Sequence, residues 1–370
     1  MAVRKFDRAS GQAYTESVSA PASEFSNGPS WIHETPFLPI GWEELNDDGA
    51  PSLMHSAMRK LLLDQRNITV PLFANVPWKI ASYLWDCLGR SQKRTLHMWK
   101  FFATVYPDQF REIEQYRSMK IESPRVSMRE YLGLVKSDSL SWRVVLTLGA
   151  SYARVPELVG IAEIKNLVAL EVAALARVEK IQDETIPMTA LNDRILRTWS
   201  ELTRTAGAFP HLRVLVLHRQ TSLSRTSLRY LETLPSLRSI VAFECPGIAS
   251  AFSHKTEADG WEIMAQEHSP GDNLYDYYRM SLAAVNGPES PTLAERPILD
   301  FRVGQKINKG HSAAQSVLCL QRTAASRIVN PELHTRKRKE QSSEAASGAR
   351  KAVMRPRVTK SIDDMLKDFW

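Results

Sequence analysis

Cys245 stands in "FECPGI", directly after a stretch that alternates like a strand, where a thiolate nucleophile would be well presented. No His or Lys lies near it in sequence to lower its pKa, and Pro246 and Gly247 make a turn. The spacing therefore reads as a small half-buried residue at a strand end. Nine histidines are scattered singly. His211 and His218 flank the best strand and read as surface or structural residues, since a metal asks for convergent ligands at short fixed spacings. Cys87, Cys245 and Cys319 are too few and too far apart for a CxxC clip or a disulfide framework, which points to a reducing compartment. The chain contains no G-x-S-x-G, H-E-x-x-H, G-x-x-x-x-G-K-[ST] or G-x-G-x-x-G motif. Asp47 and Asp48 fit a solvated turn, and "EHSPGDN" a loop. These residues point to a non-catalytic protein with no cofactor, no metal and no small-molecule ligand.

Composition narrows the class further. With 370 residues, 43% of them hydrophobic, the chain can build one large domain or two ordinary ones. The net charge of +7 lies almost entirely in residues 321–370. A folded body of balanced charge offers no extended phosphate-binding face. Nucleic acid would meet only the tail, weakly and nonspecifically, because aromatic residues for base stacking are missing there until Phe369 and Trp370. No apolar run approaches the roughly 20 residues of a membrane-spanning helix, and the opening "MAVRKFDRASGQAYTESVSA" lacks the apolar region of a secretory signal. The expectation is no membrane association and a nuclear or cytoplasmic protein.

The elements that would position any site follow from periodicity. Residues 1–30 are rich in Ser, Ala and Gly without a period and read as a disordered leader. Residues 31–116 read as a helical unit. It opens on an irregular segment, "WIHETPFLPIGWEEL", whose Pro36 and Pro39 forbid a long helix. A first helix follows Ser52 as N-cap, with Leu53, Met54, Met58, Leu61 and Leu62 at helical spacing. A second starts after Pro77 and stops at Gly89, and a third carries Leu96, Trp99, Phe102 and Val105 up to Pro107.

Residues 117–325 read as an α/β domain built on a repeat. "IKNLVALEVAAL", "FPHLRVLVLHRQ" and "LPSLRSIVAFEC" share an L-x-x-L-x-L core: Leu167, Leu170 and Val172; Leu212, Leu215 and Leu217; Leu237, Ile240 and Ala242. The last two copies are 25 residues apart, a leucine-rich-repeat spacing. The first two are 45 apart, and the surplus holds an amphipathic helix through Leu191, Ile195, Trp199 and Leu202. "WRVVLTLGAS" predicts an earlier strand, "GDNLYDYYRMSLAAV" a helix, and "RPILDFRVG" and "SVLCLQR" strands that would extend the sheet as a cap. Units of this kind bury their apolar faces only by stacking. The fold class expected is α/β: a leucine-rich-repeat-like solenoid with an N-terminal helical cap and disordered termini.

In "VPWKIASYLWDCLGRSQKRTLHMWKFFATVYP" the helical unit resembles the F-box family, through Pro77, Ile80, Leu84 and Leu88, then Leu96 and Trp99, with Val76 where Leu is usual. With the leucine-rich stretches behind it, the layout is similar to F-box and leucine-rich-repeat-like proteins of filamentous fungi. The resemblance implies a substrate receptor of a ubiquitin ligase. Pro77, Ile80, Leu84, Leu88 and Trp99 would bind the ligase adaptor, and the repeats would hold an unknown client protein. Without the resemblance, the same helices read as a cap on the first repeat.

Residues 326–360 form a basic tail too poor in apolar residues to fold. Arg336, Lys337, Arg338 and Lys339, followed by Arg350 and Lys351, have the spacing and sign of a bipartite nuclear-import signal. Residues 361–370, "SIDDMLKDFW", place Ile362, Met365, Leu366 and Phe369 on one helical stripe behind Ser361 as N-cap, too short to stand alone in water and suited to a partner's groove. Taken together, these features suggest a protein–protein interaction protein of the F-box type; the alternative is a nuclear scaffold or regulatory subunit docking through its tail.

Overall fold

The computed structural model describes residues 31–39, 51–174, 189–253, 255–264, 273–283, 296–304 and 317–323, together with the backbone of two strands near the N-terminus. All of them belong to one unit, Met1–Ile328. Strands β1 (Ala2–Asp7) and β2 (Gln12–Ser17) pair antiparallel inside the stretch read from composition as disordered. Val3, Phe6, Tyr14 and Thr15 favour extended backbone, although a lone two-stranded hairpin is marginal in water.

The helical unit comprises α1 (Leu53–Leu62), α2 (Val70–Phe73), α3 (Trp78–Arg90), α4 (Leu96–Val105) and α5 (Pro107–Ile113). Ser52 caps α1, its hydroxyl accepting from the His55 N–H at 3.2 Å. Two boundaries differ from expectation. Gly89 does not end α3; the turn comes at Gln92, which takes a left-handed φ of 53°. Pro107 opens a further helix instead of closing the unit, because proline at the first helical position forfeits only an N–H that has no partner there.

The core of this unit is aromatic. Trp85 meets Phe102 and Phe110 edge-on at 5.0 and 4.9 Å, the arrangement aromatic quadrupoles prefer. Trp99 meets Trp142 at 5.9 Å, which joins the helices to the sheet in one continuous core. The irregular segment also packs: Trp31 is buried, and the Glu34 carboxylate accepts from the Leu96 N–H at 2.6 Å and pairs with Arg117 at 3.0 Å.

Lys100 lies in this core region, donating to Leu134 O at 2.6 Å, with its Nζ 5.7 Å from the Trp142 ring centroid. Burial pulls its pKa down to about 8. Between that value and the ordinary lysine range the unfolded chain binds more protons than the native one, so this group's contribution to stability rises with pH there. The urea midpoint of the wild type should therefore gain on that of Lys100→Met between pH 7 and pH 10. A constant difference would show that Lys100 keeps its ordinary pKa.

The remaining elements are β3 (Tyr116–Ile121), α6 (Met128–Val135), β4 (Arg143–Gly149), α7 (Val155–Gly160), β5 (Leu167–Ala173), α8 (Asp193–Ala206), β6 (Val214–His218), α9 (Ser227–Glu232), β7 (Ser239–Phe243), α10 (Pro246–Ala249), β8 (Glu257–Ala258), β9 (Trp261–Ile263), α11 (Leu274–Ala283), β10 (Ile298–Val303) and β11 (Val317–Arg322). Nine strands form one mixed sheet in the order β3-β10-β4-β5-β6-β7-β11-β9-β8. The first six are parallel, and β11, β9 and β8 add antiparallel at the far side. The protein is thus mixed α/β.

Strand β10 does not cap the sheet's end, as "RPILDFRVG" suggested, but inserts between β3 and β4. Leu299, Phe301 and Val303 are buried on one face and Ile298 and Asp300 on the other, and a strand buried on both faces belongs in a sheet's interior. Strand β3 and the capping-boxed helix α6, with Ser127 and Glu130 reciprocally bonded, come before the point where the repeat pattern becomes readable.

Strands β4, β5, β6 and β7 are consecutive both in the chain and in the sheet. On one face Leu146, Leu148, Leu170, Val172, Leu215, Leu217, Ile240 and Ala242 share a core with Leu158, Ile195, Trp199, Leu228 and Leu231 of the intervening helices and with Ile248 of α10, which follows β7. Helix α8 follows its expectation closely, capped by Asn192 and ended by Gly207 in left-handed backbone at φ 62°. On the other face Val145, Ala169, Val214, Val216 and Val241 pack with Leu274, Tyr277 and Tyr278 of α11.

Equivalent positions after β6 and β7 behave alike. Arg219 and Glu244 both take left-handed φ, 56° and 52°, and pair at 2.7 Å. Gln220 donates to His218 O and to Val172 O of the preceding strand at 3.0 and 3.2 Å. Cys245 makes the matching contacts with Phe243 O and Leu217 O at 3.4 and 3.8 Å. These side chains bond carbonyls at the strand ends, where His218 O and Phe243 O also accept from the Ala174 and Arg219 N–H groups.

Candidate functional site

The residues expected to meet a ligase adaptor separate into two groups. Pro77 is exposed and Ile80 half-buried, whereas Leu84, Leu88 and Trp99 are fully buried in the protein's own core. The stripe on α3 had located the apolar face correctly, and that face is covered by Phe102 and Phe110 through Trp85 rather than left open. The open apolar surface lies just before it in sequence. Leu53 is 87% and Leu72 61% exposed, and Met54, Leu63 and Val70 are exposed as well. Among the described residues no other stretch of similar length carries as many exposed large apolar side chains. The import candidates Arg336, Lys337, Arg338, Lys339, Arg350 and Lys351 and the docking residues Ile362, Met365, Leu366 and Phe369 lie outside the described residues.

A polar row that sequence reading missed crosses the second face of the sheet toward the C-terminal ends of the parallel strands. Asp300 is fully buried and accepts from Tyr116 Oη at 2.5 Å and from Arg302 Nη2 at 2.6 Å. Burial, reinforced by the Asp300 hydrogen bond, pushes the Tyr116 phenol up to about 12. The bond to Asp300 in turn raises the Arg302 guanidinium. Next in the row, Glu171 accepts from Thr147 Oγ1 at 3.1 Å and lies 2.8 Å from His218 Nε2. That last contact is an ion-pair distance without hydrogen-bond alignment of the ring N–H. Phe243 stacks on His218 with centroids 4.5 Å apart and planes 2° from parallel.

No protein family, curated protein or solved structure matches the chain. The site must therefore be argued from its own chemistry. A carboxylate beside an imidazole is two-thirds of a nucleophilic triad, and such a triad needs a hydroxyl or thiol donating to the imidazole. Among the described residues none does. Thr147 donates to Glu171, and Cys245 points at carbonyls on the opposite side of the strand ends. Burial pushes the Cys245 thiol up to about 11, the reverse of activation. No group of three or more His, Cys, Asp or Glu that could hold a metal occurs among the described residues. No helix among them is long and apolar enough to cross a membrane.

All three cysteines are free and buried. In native buffer at pH 8 they should fail to react with a disulfide thiol reagent over minutes, and all three should react once the chain is denatured. Rapid native labelling of Cys245 would indicate an accessible thiolate. The signal for the polar row was present in the sequence as single acidic residues inside apolar strands, Glu171 in "LVALEVAAL" and Asp300 in "ILDFRV". Arg302 stands two positions from Asp300 in the same strand, but the distant partners, His218 at 47 positions from Glu171 and Tyr116 at 184 from Asp300, were not visible there.

Proposed function

We propose that the protein is a non-catalytic interaction protein of the F-box type. Its helical unit docks on a ligase adaptor, and its leucine-rich-repeat-like body holds a client protein. The observation that carries this reading is the exposed aliphatic run Leu53, Met54, Leu63, Val70 and Leu72, continued by exposed Pro77 and half-buried Ile80, in the unit that resembles an F-box. These water-facing aliphatic side chains lie on α1, on α2 and on the segment between them, and exposed apolar surface of this kind marks an interaction site. Leu84, Leu88 and Trp99 then act from beneath, fixing the helices that display that run.

The repeat reading of the body is supported by four sequential parallel strands whose connecting helices lie on one face, while α11, from later in the chain, packs on the other. It is also supported by the matching roles of Gln220 and Cys245, which occupy the N/C position of L-x-x-L-x-L-x-x-N/C. In this reading the basic tail serves nuclear import and the final segment docks on a further protein. A second reading, a nuclear scaffold that never meets a ligase, is favoured by the burial of Leu84, Leu88 and Trp99, which suits a cap.

Deleting residues 77–105 would remove Leu84, Trp85, Trp99 and Phe102 from the core, so surface substitutions give the cleaner test. In affinity purification of the full chain, Leu53→Asp with Leu72→Asp should lose the ligase adaptor. Its unfolding free energy should stay within about 0.5 kcal/mol of wild type, the range for exposed sites. An adaptor retained by the variant would overturn the assignment of this surface, and no adaptor with either protein would leave the scaffold.

A further inference from the structure

Opposite the Glu171–His218 end, the N-terminal rim of the parallel strands gathers positive charge. Arg143 opens β4 and is only 4% exposed, its main-chain N–H bonded to Pro297 O at 2.8 Å. Its Nε and Nη1 are buried without a hydrogen-bond partner. Arg213 stands directly before β6, half-buried and held by its N–H to Val168 O at 2.8 Å. Arg296 stands two residues before β10, and its ion pair among the described residues is a long 4.0 Å contact with Asp108, a largely exposed carboxylate.

Burial lowers the Arg143 pKa first, and the charges of Arg296 and Arg213 lower it further; Tyr278 is the one neighbour acting the other way. His211, half-buried, is lowered by burial and then by Arg143 and Arg213. Among the described residues no carboxylate figures among the groups acting on either residue.

A buried guanidinium with unmet N–H groups costs several kcal/mol, and cationic neighbours add to that cost. Folded proteins retain few such groups, and a bound ion is one way in which their N–H groups are met. Arg143 opens β4, Arg296 precedes its parallel neighbour β10 and Arg213 precedes β6, so three guanidiniums share one rim of the sheet, a charge that favours an oxyanion, and the planar fork of arginine matches two oxygens of a tetrahedral anion. We infer that Arg143, with Arg213, Arg296 and His211 beside it and Tyr278 closing one side, binds a phosphate group. The phosphate can come as the free ion or as a phosphomonoester. The site is independent of the adaptor-docking surface and would stand if that reading fell.

The test uses the full-length protein in chloride buffer at constant ionic strength, titrated with inorganic phosphate and separately with O-phosphoserine, and read by calorimetry and by phosphorus NMR line width. Wild type should bind inorganic phosphate saturably, Arg143→Met should lose that binding, and Arg296→Ala should weaken it about tenfold. Arg296 sits on the partly exposed rim, so its variant keeps the test decisive if Arg143→Met fails to fold. Binding of O-phosphoserine as well would identify the source as a phosphomonoester, and binding of the inorganic ion alone would identify the free anion. Absence of saturable binding of either probe, or equal binding by Arg296→Ala, would overturn the site.

Discussion

Gly247→Ala is expected to destabilise the protein by about 3 kcal/mol or more, enough to leave much of the chain unfolded at physiological temperature. A Cβ at this position would lie 1.8 Å from Leu223 O and 2.9 Å from Leu223 C. The obstacle is the main chain of the preceding unit, so no side-chain rotation can relieve it. Gly247 follows Cys245, whose thiol reaches Leu217 O, and lies in α10, whose Ile248 enters the shared core. The substitution therefore strikes where the units after β6 and β7 stack. Urea unfolding followed by circular dichroism measures it. A loss below 1 kcal/mol would mean that the two units are not in this close register.

Trp199→Ala should cost about 3–5 kcal/mol, the range for deleting a fully buried aromatic side chain. Trp199 lies on the buried face of α8, meets Phe209 edge-on at 5.1 Å and donates its indole N–H to Leu158 O at 3.0 Å. Its removal opens a cavity between α7, α8 and the sheet and leaves that carbonyl without its donor. Trp199→Phe keeps most of the volume and loses the hydrogen bond, so it should cost less, about 1–2 kcal/mol. Equal losses for the two variants would show that the hydrogen bond, rather than the packing, dominates.

The difference between what the sequence made legible and what it hid follows from the range of the interactions. Helix α8 was readable because its signals are local: Asn192 caps it, Leu191, Ile195, Trp199 and Leu202 recur at helical spacing, and Gly207 ends it in left-handed backbone. Strands β5, β6 and β7 were readable because each copy repeats the same inward positions. A periodic stripe shows that a face is apolar, but not whether the protein or a partner covers it. Leu84, Leu88 and Trp99 looked like anchors for that reason and are core residues.

Long-range pairing hid the rest. The insertion of β10 between β3 and β4 depends on partners more than 150 positions apart in the chain, such as Ile298 and Arg143. The same pairing assembles the Tyr116–Asp300–Arg302 group and brings Arg296 toward Arg143. Within β10 the alternation of a strand connects Asp300 with Arg302, but no spacing rule connects either cluster's members across different strands.

Mixing purified full-length protein with a purified cullin-type ligase adaptor, followed by size-exclusion chromatography and light scattering, tests the docking claim most directly. The account predicts a one-to-one complex formed by the wild type and by Arg143→Met if that variant folds, and lost by Leu53→Asp with Leu72→Asp. Separate elution of wild-type protein and adaptor, or a complex untouched by the double substitution, would contradict it.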